Sequence, residues 1–270
     1  MSIRNEFEQQ GFVSAIDVLS PERKEYYSGK CRSFVDSYNS HPAYPEWTYY
    51  RTELVLKWVS ELASEDSLLD VVEELIGPDI LLWNAFLPAK PPRTKAFFGW
   101  HQDATYWPVA PTDQIVSAWI ALSTVDQSCG GMQMVKGSHL LGQLAHETTY
   151  DSSSMLKRGQ QITSSVNDSD VCDIDLQPGQ ASFHHTLTLH RSGPNTSDNW
   201  RLGVGLNYVS AEVGPLPGYE DSAMPQRGNV DGTRFTFTQP PRSDLDADAI
   251  KSYEAALRRQ SKRYSDVAEN

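Results

Sequence analysis

AFFGWHQD, residues 96–103, is a short run of aromatic and apolar residues that ends on His101-Gln102-Asp103. Its length and composition predict a β-strand. Successive side chains of a strand point to opposite faces, so residues i and i+2 share a face. An imidazole at 101 and a carboxylate at 103 are then expected to converge on a single ion. With a second histidine they would occupy one face of an octahedron and leave three positions open. That arrangement suits ferrous iron, which needs vacancies for a bidentate cosubstrate and O2. Alone, such a triplet is equally well a surface histidine beside an aspartate. The remaining ligand must come from elsewhere in the chain.

Further apolar runs flank this stretch. DILLWNAFL (79–87) precedes it; IVSAWIALST (115–124), GMQMV (131–135), QASFHH (180–185), LTLHRS (187–192) and RLGVGLNYVS (201–210) follow. Short strands separated by Gly/Pro turns indicate a mainly β sandwich or jelly roll, not a parallel α/β sheet. The first third reads as helical. Ser20-Pro21-Glu22 opens one helix, and LVLKWVSELA (54–63) and SLLDVVEELIG (67–77) form two more. A charged amphipathic helix is expected from about Asp244 to Tyr264. Thr148 to Asp170 is rich in Ser, Asn and Asp and is expected to be a long loop, a candidate lid. The whole chain, 1–270, is expected to be one domain: a helical bracing region (1–78), a catalytic core (79–210), and a C-terminal loop and helix (211–270).

The formal net charge of −12 argues against a nucleic-acid partner, which would need clustered positive charge. No apolar run is long enough to span a membrane. The first residues, MSIRNEFEQQGF, lack the basic-then-apolar layout of a signal peptide, so a cytoplasmic location is expected. Cys31, Cys129 and Cys172 are odd in number, scattered and without a C-x-x-C pair, which suggests neither a disulfide framework nor a zinc site.

Two downstream residues complete the pattern. His190 lies in LTLHRSGPN, directly before a Ser-Gly-Pro turn, and Arg201 follows eleven residues later at the start of a strand candidate. A turn between antiparallel strands would bring Arg201 near His190. There its guanidinium could grip a carboxylate bidentately. Taken alone, an arginine at a strand start is more simply a solvent-exposed charge.

WHQDATYW (100–107), GGMQMVKGSH (130–139) and HRSGPNTSDNWR (190–201) together resemble the phytanoyl-CoA dioxygenase family of Fe(II)/2-oxoglutarate oxygenases, over about residues 79 to 210. The resemblance implies a double-stranded β-helix, the cupin-like jelly roll, with flanking N- and C-terminal helices. It implies that His101, Asp103 and His190 bind Fe(II), that Arg201 binds the distal carboxylate of 2-oxoglutarate, and that Ser192 assists. O2 would be the second cosubstrate, with succinate and CO2 released. Related halogenases carry a small residue where this chain has Asp103, so the resemblance implies hydroxylation or a related oxidation in place of halogenation.

The other candidates each have a plain structural reading. His184, His185 and His139 are expected to pack or to form supporting hydrogen bonds, and His41 and His146 carry no signal. Asn84 either contacts 2-oxoglutarate or makes a cross-strand hydrogen bond. Trp119, Met132 and Met134 are expected in the core. Around the first ligands, Phe97, Phe98, Trp100, Tyr106 and Trp107 are either core or the aromatic wall of a substrate pocket. Arg93 and Lys95 would then form a basic mouth, with ammonium groups also held by cation–π contact. This favours a small-molecule substrate carrying a carboxylate, phosphate or phosphonate, such as 2-aminoethylphosphonate. A lipid, acyl or natural-product substrate is the alternative. From other classes come a non-catalytic cupin-like metal-binding protein and a zinc hydrolase, the latter having no need of Arg201. Nothing in the chain specifies an oligomeric state.

Overall fold

A computed structural model describes residues 2–40, 50–156 and 160–266. The strands are β1 (Phe12–Asp17), β2 (Ile80–Phe86), β3 (Phe98–His101), β4 (Val109–Ala110), β5 (Ile115–Ala121), β6 (Met132–Val135), β7 (His146–Thr148), β8 (Gln160–Ile162), β9 (Val171–Ile174), β10 (Gln180–His185), β11 (His190–Ser192), β12 (Gly203–Ser210), β13 (Gly214–Pro215), β14 (Ser222–Arg227) and β15 (Thr236–Phe237). The α-helices are α1 (Ile3–Gln10), α2 (Pro21–Ser40), α3 (Lys57–Ala63), α4 (Asp66–Ile76) and α5 (Ala247–Asp266). The fold is mainly β, with flanking helices.

Two compact units are built from interleaved segments. The first comprises Met1–Val35, Pro88–Trp107 and Ser117–Gly203; the second comprises Asp36–Leu87, Pro108–Val116 and Val204–Asn270. In the first unit, strands in the order β1-β10-β5 form one layer and β3-β11-β6-β9 form another. Phe12, Trp119 and Ala121 from one layer pack with Met132, Met134 and Ile174 from the other. Two sheets closing on a shared apolar core are the jelly-roll, or double-stranded β-helix, arrangement.

A strand lies where only helices were expected, in residues 1–78. Helix α1 is capped by the Ser2 hydroxyl, which accepts from Asn5 N–H at 3.2 Å, and ends at Gly11 in the left-handed region. The chain then enters β1, which pairs antiparallel with β10, placing Phe12 opposite His184 and Val13 opposite Phe183. FVSAID is short and carries a register shift between Val13 and Ile16, so its strand character comes from a partner about 170 residues away.

Three further expectations are corrected. Strand β3 stops at His101, and Asp103 opens a 3-10 turn (Asp103–Tyr106). Only His190–Ser192 of LTLHRS is strand. Segment 148–170 is not one long loop, because β8 within it pairs with β7 and a 3-10 turn spans Asp168–Asp170. Residues 157–159 of that segment, and His41, lie outside the described residues.

In the second unit the strand order is β12-β2-β14-β15. Helix α4 buries Leu68, Leu69, Val71, Val72, Leu75 and Ile76 along one face. A buried polar network is centred on Arg51, whose Nε donates to Glu53 at 2.7 Å and whose Nη1 donates to Asp221 at 3.3 Å. Gln260 of α5 and the Trp83 indole also donate to Asp221. No described helix is long and apolar enough to cross a membrane.

Candidate metal centre

Strands β3 and β11 are antiparallel neighbours in which His101 and His190 are register partners. Their ring centroids are 4.1 Å apart. His101 Nδ1 lies 2.8 Å from Gly99 O, and His190 Nδ1 lies 3.0 Å from Thr188 O. A carbonyl oxygen only accepts, so each Nδ1 carries the proton and each Nε2 keeps its lone pair for a metal. Burial, then neighbouring His101, pushes the His190 pKa down to about 3, so its imidazole is neutral, the ligating form.

Asp103 joins them by a route the sequence did not indicate. It is not the next inward residue of a strand: Gln102 is still extended, and the chain then turns so that Ala104 N–H reaches Thr186 O at 3.1 Å. Asp103 Oδ1 comes within 3.6 Å of His101 Nε2 and 3.7 Å of His190 Nε2. One donor atom from each of the three residues lies within 4.8 Å of the others. Burial disfavours the carboxylate, but His190, His101 and His184 outweigh it and hold Asp103 well below the usual range.

Among the supporting residues, Ser117, Gln102 and His146 carried no sequence signal for a supporting role, whereas His184, His139 and His185 were expected to pack or to support. Asp103 Oδ2 accepts from Ser117 Oγ at 3.1 Å and lies 3.4 Å from His184 Nε2. His184 is only 4% exposed, and neither ring nitrogen has a hydrogen-bond partner. Gln102, fully buried, donates to Gly142 O and Leu187 O and accepts from Leu144 N–H. His146, which carried no sequence signal, accepts from Gln102 N–H at 3.1 Å. Ser138, in the GSH turn, accepts from Leu189 N–H at 2.9 Å and so holds the residue before His190. His139 contacts Glu8 O and His185 accepts from Leu187 N–H, both structural roles.

Arg201 reaches Ser192, two residues past His190, through its side chain and not as the hairpin partner of His190, since β11 pairs with β3 and β6. Its Nη1 donates to Ser192 Oγ at 2.6 Å and to Gly130 O at 2.7 Å, and its Nη2 donates to Pro88 O at 2.5 Å. Buried Nε has no partner. The guanidinium lies over the Trp119 ring, 5.5 Å from its centroid. Gly203 permits this: a Cβ there would fall 2.2 Å from the Trp119 ring. Gly130 has φ +78, and a Cβ on it would meet Gly193 O at 2.4 Å, so the GG turn needs glycine here. Lys90, absent from the sequence reading, donates to Ser192 Oγ at 2.6 Å, to Ser192 O at 3.1 Å and to Gly193 O.

The expected pocket residues divide. Phe98 stacks near His101, with centroids 6.3 Å apart, and Tyr106 meets His101 edge-on at 6.1 Å. The register shift between β3 and β11 lets Phe98 share the His101 side despite a spacing of three. Trp100 is on the other face, under the exposed Arg191, whose guanidinium lies 4.7 Å from the indole. Trp107 closes the 3-10 turn, its N–H bonded to Ala104 O, and Lys95 is exposed. Arg93 pairs with exposed Asp198 at 2.8 Å. Asn84, in the second unit, accepts from Asn207 Nδ2 at 2.8 Å, the cross-strand alternative. Met132 and Met134 are core, and Cys31, Cys129 and Cys172 are free.

The residues present fit Fe(II) and a dicarboxylate. Two imidazoles and a carboxylate are an iron donor set, and a buried guanidinium with an orphaned N–H suits an anion. The family model described as phytanoyl-CoA dioxygenase (PhyH) matches residues 7–203. A probable phytanoyl-CoA dioxygenase of Caenorhabditis elegans is 26% identical over 159 residues, covering 57% of this chain and 51% of that protein. A probable alpha-ketoglutarate-dependent hypophosphite dioxygenase of Stutzerimonas stutzeri is 27% identical over 173 residues, covering 59% and 56%. The chain thus matches about half the length of these relatives. Among solved structures, the non-haem monooxygenase ThoJ in its apo form is 28% identical, with a TM-score of 0.88 and 100% coverage of both chains.

Proposed function

The chain belongs to the phytanoyl-CoA dioxygenase family, and from that premise we propose that it is an Fe(II)- and 2-oxoglutarate-dependent dioxygenase that hydroxylates an unactivated C–H bond. The observation that carries this reading is the convergence of three donor atoms from His101, Asp103 and His190, with both Nδ1 protons already committed to backbone carbonyls. These three residues would hold the iron. Arg201 and Ser192 would hold the distal carboxylate of 2-oxoglutarate, with the guanidinium over the Trp119 ring.

Iron with O2 and 2-oxoglutarate supplies an oxidant able to remove hydrogen from carbon. The protein's part is orientation and exclusion of water. Ser117 fixes Asp103 through Oδ2, which leaves Oδ1 turned toward the two histidines. A carboxylate at 103 occupies a position that halogenation would need vacant, so hydroxylation is the outcome this site favours. Phe98 and Tyr106 place aromatic surface beside His101 and shield that side from solvent. Residues 1–270 are read as one oxygenase domain with a small-molecule substrate and a cytoplasmic location.

For the substrate, a small anionic metabolite is supported by the relative described as acting on hypophosphite and by exposed Lys95. The lipid, acyl or natural-product alternative is supported by the phytanoyl-CoA relatives. Two observations add to it. Arg93 is already engaged by Asp198, and exposed Leu140 and Leu141 sit on the turn that Gln102 ties to the centre through Gly142. The test is succinate formation by protein supplied anaerobically with Fe(II), 2-oxoglutarate and ascorbate and then given O2, across a panel of both substrate classes. Succinate that disappears in Asp103→Ala and Arg201→Ala supports the class, and the candidate that most raises it points to the substrate. Hydrolysis without 2-oxoglutarate would favour a zinc hydrolase. Iron binding with no turnover on any candidate would favour a non-catalytic cupin-like protein.

A further inference from the structure

Lys90 and Arg201 are basic side chains at 0% and 1% exposure, bridged backbone to backbone by hydrogen bonds of 3.0 Å in both directions. Their side chains share one oxygen: Ser192 Oγ is 2.6 Å from Lys90 Nζ and 2.6 Å from Arg201 Nη1. The same hydroxyl donates to Gly130 O at 2.8 Å. Every other oxygen that these two side chains contact is a backbone carbonyl, and among the described residues no carboxylate bonds to either. Two like charges buried at this separation repel, and burial removes the water that would screen them. An anion docked against the free Arg201 Nε would reverse the sign of the local field.

We propose, on the reading given above, that Lys90 is a positioning residue for the cosubstrate anion, neutral in the free site and protonated when a carboxylate of 2-oxoglutarate docks against Arg201. Binding of 2-oxoglutarate is thereby coupled to uptake of one proton near neutral pH. The titratable groups facing Lys90 are few. Arg201 keeps its charge at neutrality although burial brings it down to about 10, and burial raises the Cys129 thiol, which stays uncharged. The Phe98 ring, 5.7 Å from Nζ, completes the surroundings. Burial first, then Arg201, brings Lys90 down to about 6, so it alone of the three changes charge near neutrality. Protonated, it has an acceptor for each of its three N–H groups in Ser192 Oγ, Ser192 O and Gly193 O, while Arg201 Nε is left to meet the anion.

The experiment is calorimetric titration of 2-oxoglutarate into anaerobic, Mn(II)-loaded protein, in buffers of different ionisation enthalpy, with no turnover involved. The expected result is a buffer-dependent enthalpy approaching one proton taken up per 2-oxoglutarate, and a Kd that weakens by up to about tenfold per unit between about pH 7 and 9. Lys90→Met should bind more weakly, without proton uptake and with a flat pH profile. Lys90→Arg, permanently charged, should bind without uptake. These wild-type measurements stand even if either variant fails to fold. Binding by the wild type with no proton uptake and a flat profile overturns the proposal while leaving the oxygenase reading intact. No binding of 2-oxoglutarate at all overturns both.

Discussion

His101 and His190 face each other as register partners across two antiparallel strands, and each is turned inward by a hydrogen bond from Nδ1 to the carbonyl two residues earlier in its chain. The pair is therefore organised by backbone before any ion arrives. His190→Ala removes one donor and leaves the Nε2 of His101 and Oδ1 of Asp103 without the third. The expected outcome is loss of stoichiometric Fe(II) binding in an anaerobic titration and succinate below the blank-corrected detection limit. Chelation of wild-type protein should abolish turnover, and Fe(II), but not Zn(II), should restore it. Restoration by Zn(II) would point to hydrolytic chemistry.

Ser117 acts on the metal only through Asp103 Oδ2. Loss of such outer-shell partners weakens metal affinity or activity by about 10–100-fold. Ser117→Ala is expected to fall in that range for Fe(II) affinity while the 2-oxoglutarate KM changes little. A variant with unaltered Fe(II) affinity would mean that Asp103 is held elsewhere, with His184 the nearest candidate.

Gly203 is set by a contact, since the Trp119 ring occupies the space a side chain would need. Gly203→Ala forces that ring off the Arg201 guanidinium and overpacks the core, which costs about 1–3 kcal/mol. A lower Tm together with a raised 2-oxoglutarate KM is expected. A lower Tm with unchanged KM would limit Trp119 to packing.

Lys90 also links stability to pH. Burial, then Arg201, lowers its folded pKa from the ordinary 10.5 to about 6. Between those values the unfolded chain binds one more proton at this site than the folded protein does. Stability of wild type relative to Lys90→Met should therefore rise with pH across that window, by at most about 1.4 kcal/mol per unit. Urea unfolding of both proteins without 2-oxoglutarate, at several pH values, measures the difference. A difference that does not vary with pH would place the charged form in the folded free protein.

What could be seen in the chain was the residues whose types are rare and whose spacing is fixed: His101, Asp103, His190, Ser192 and Arg201. The structure brings His101, Asp103 and His190 together and sets Arg201 against Ser192, although Asp103 arrives by a 3-10 turn and Arg201 by its side chain, because strand periodicity says nothing about where a strand ends. Lys90 was missed because its partners lie 102 and 103 residues away, at Ser192 and Gly193, and a lysine before two prolines reads as loop. Ser117 and His184 sit inside strands, where a serine or histidine is ordinary, and only the pairing of distant strands turns them toward Asp103. Strand β1 failed for the same reason, since its partner β10 defines it. Trp100 was misplaced because aromatic density gives no face, whereas alternation from inward-facing His101 does.

The charge network in the second unit gives the last prediction. Arg51 at 0% exposure is the one cation paired with both Glu53 and Asp221 among the described residues, and both acids are buried. Its backbone at φ 58 is in the left-handed region. Arg51→Met leaves two buried carboxylates without a cation, which is expected to cost about 3–5 kcal/mol in urea unfolding. Burial already raises the Glu53 pKa against the pull of Arg51, so removal of the arginine raises it further. A carboxylate with a raised folded pKa favours folding as pH falls. The deficit of Arg51→Met relative to wild type should consequently shrink as pH falls, and adding Glu53→Gln should recover much of it at neutral pH. A deficit that is constant with pH and unchanged by Glu53→Gln would assign the loss to the packing of the Arg51 side chain and not to its charge.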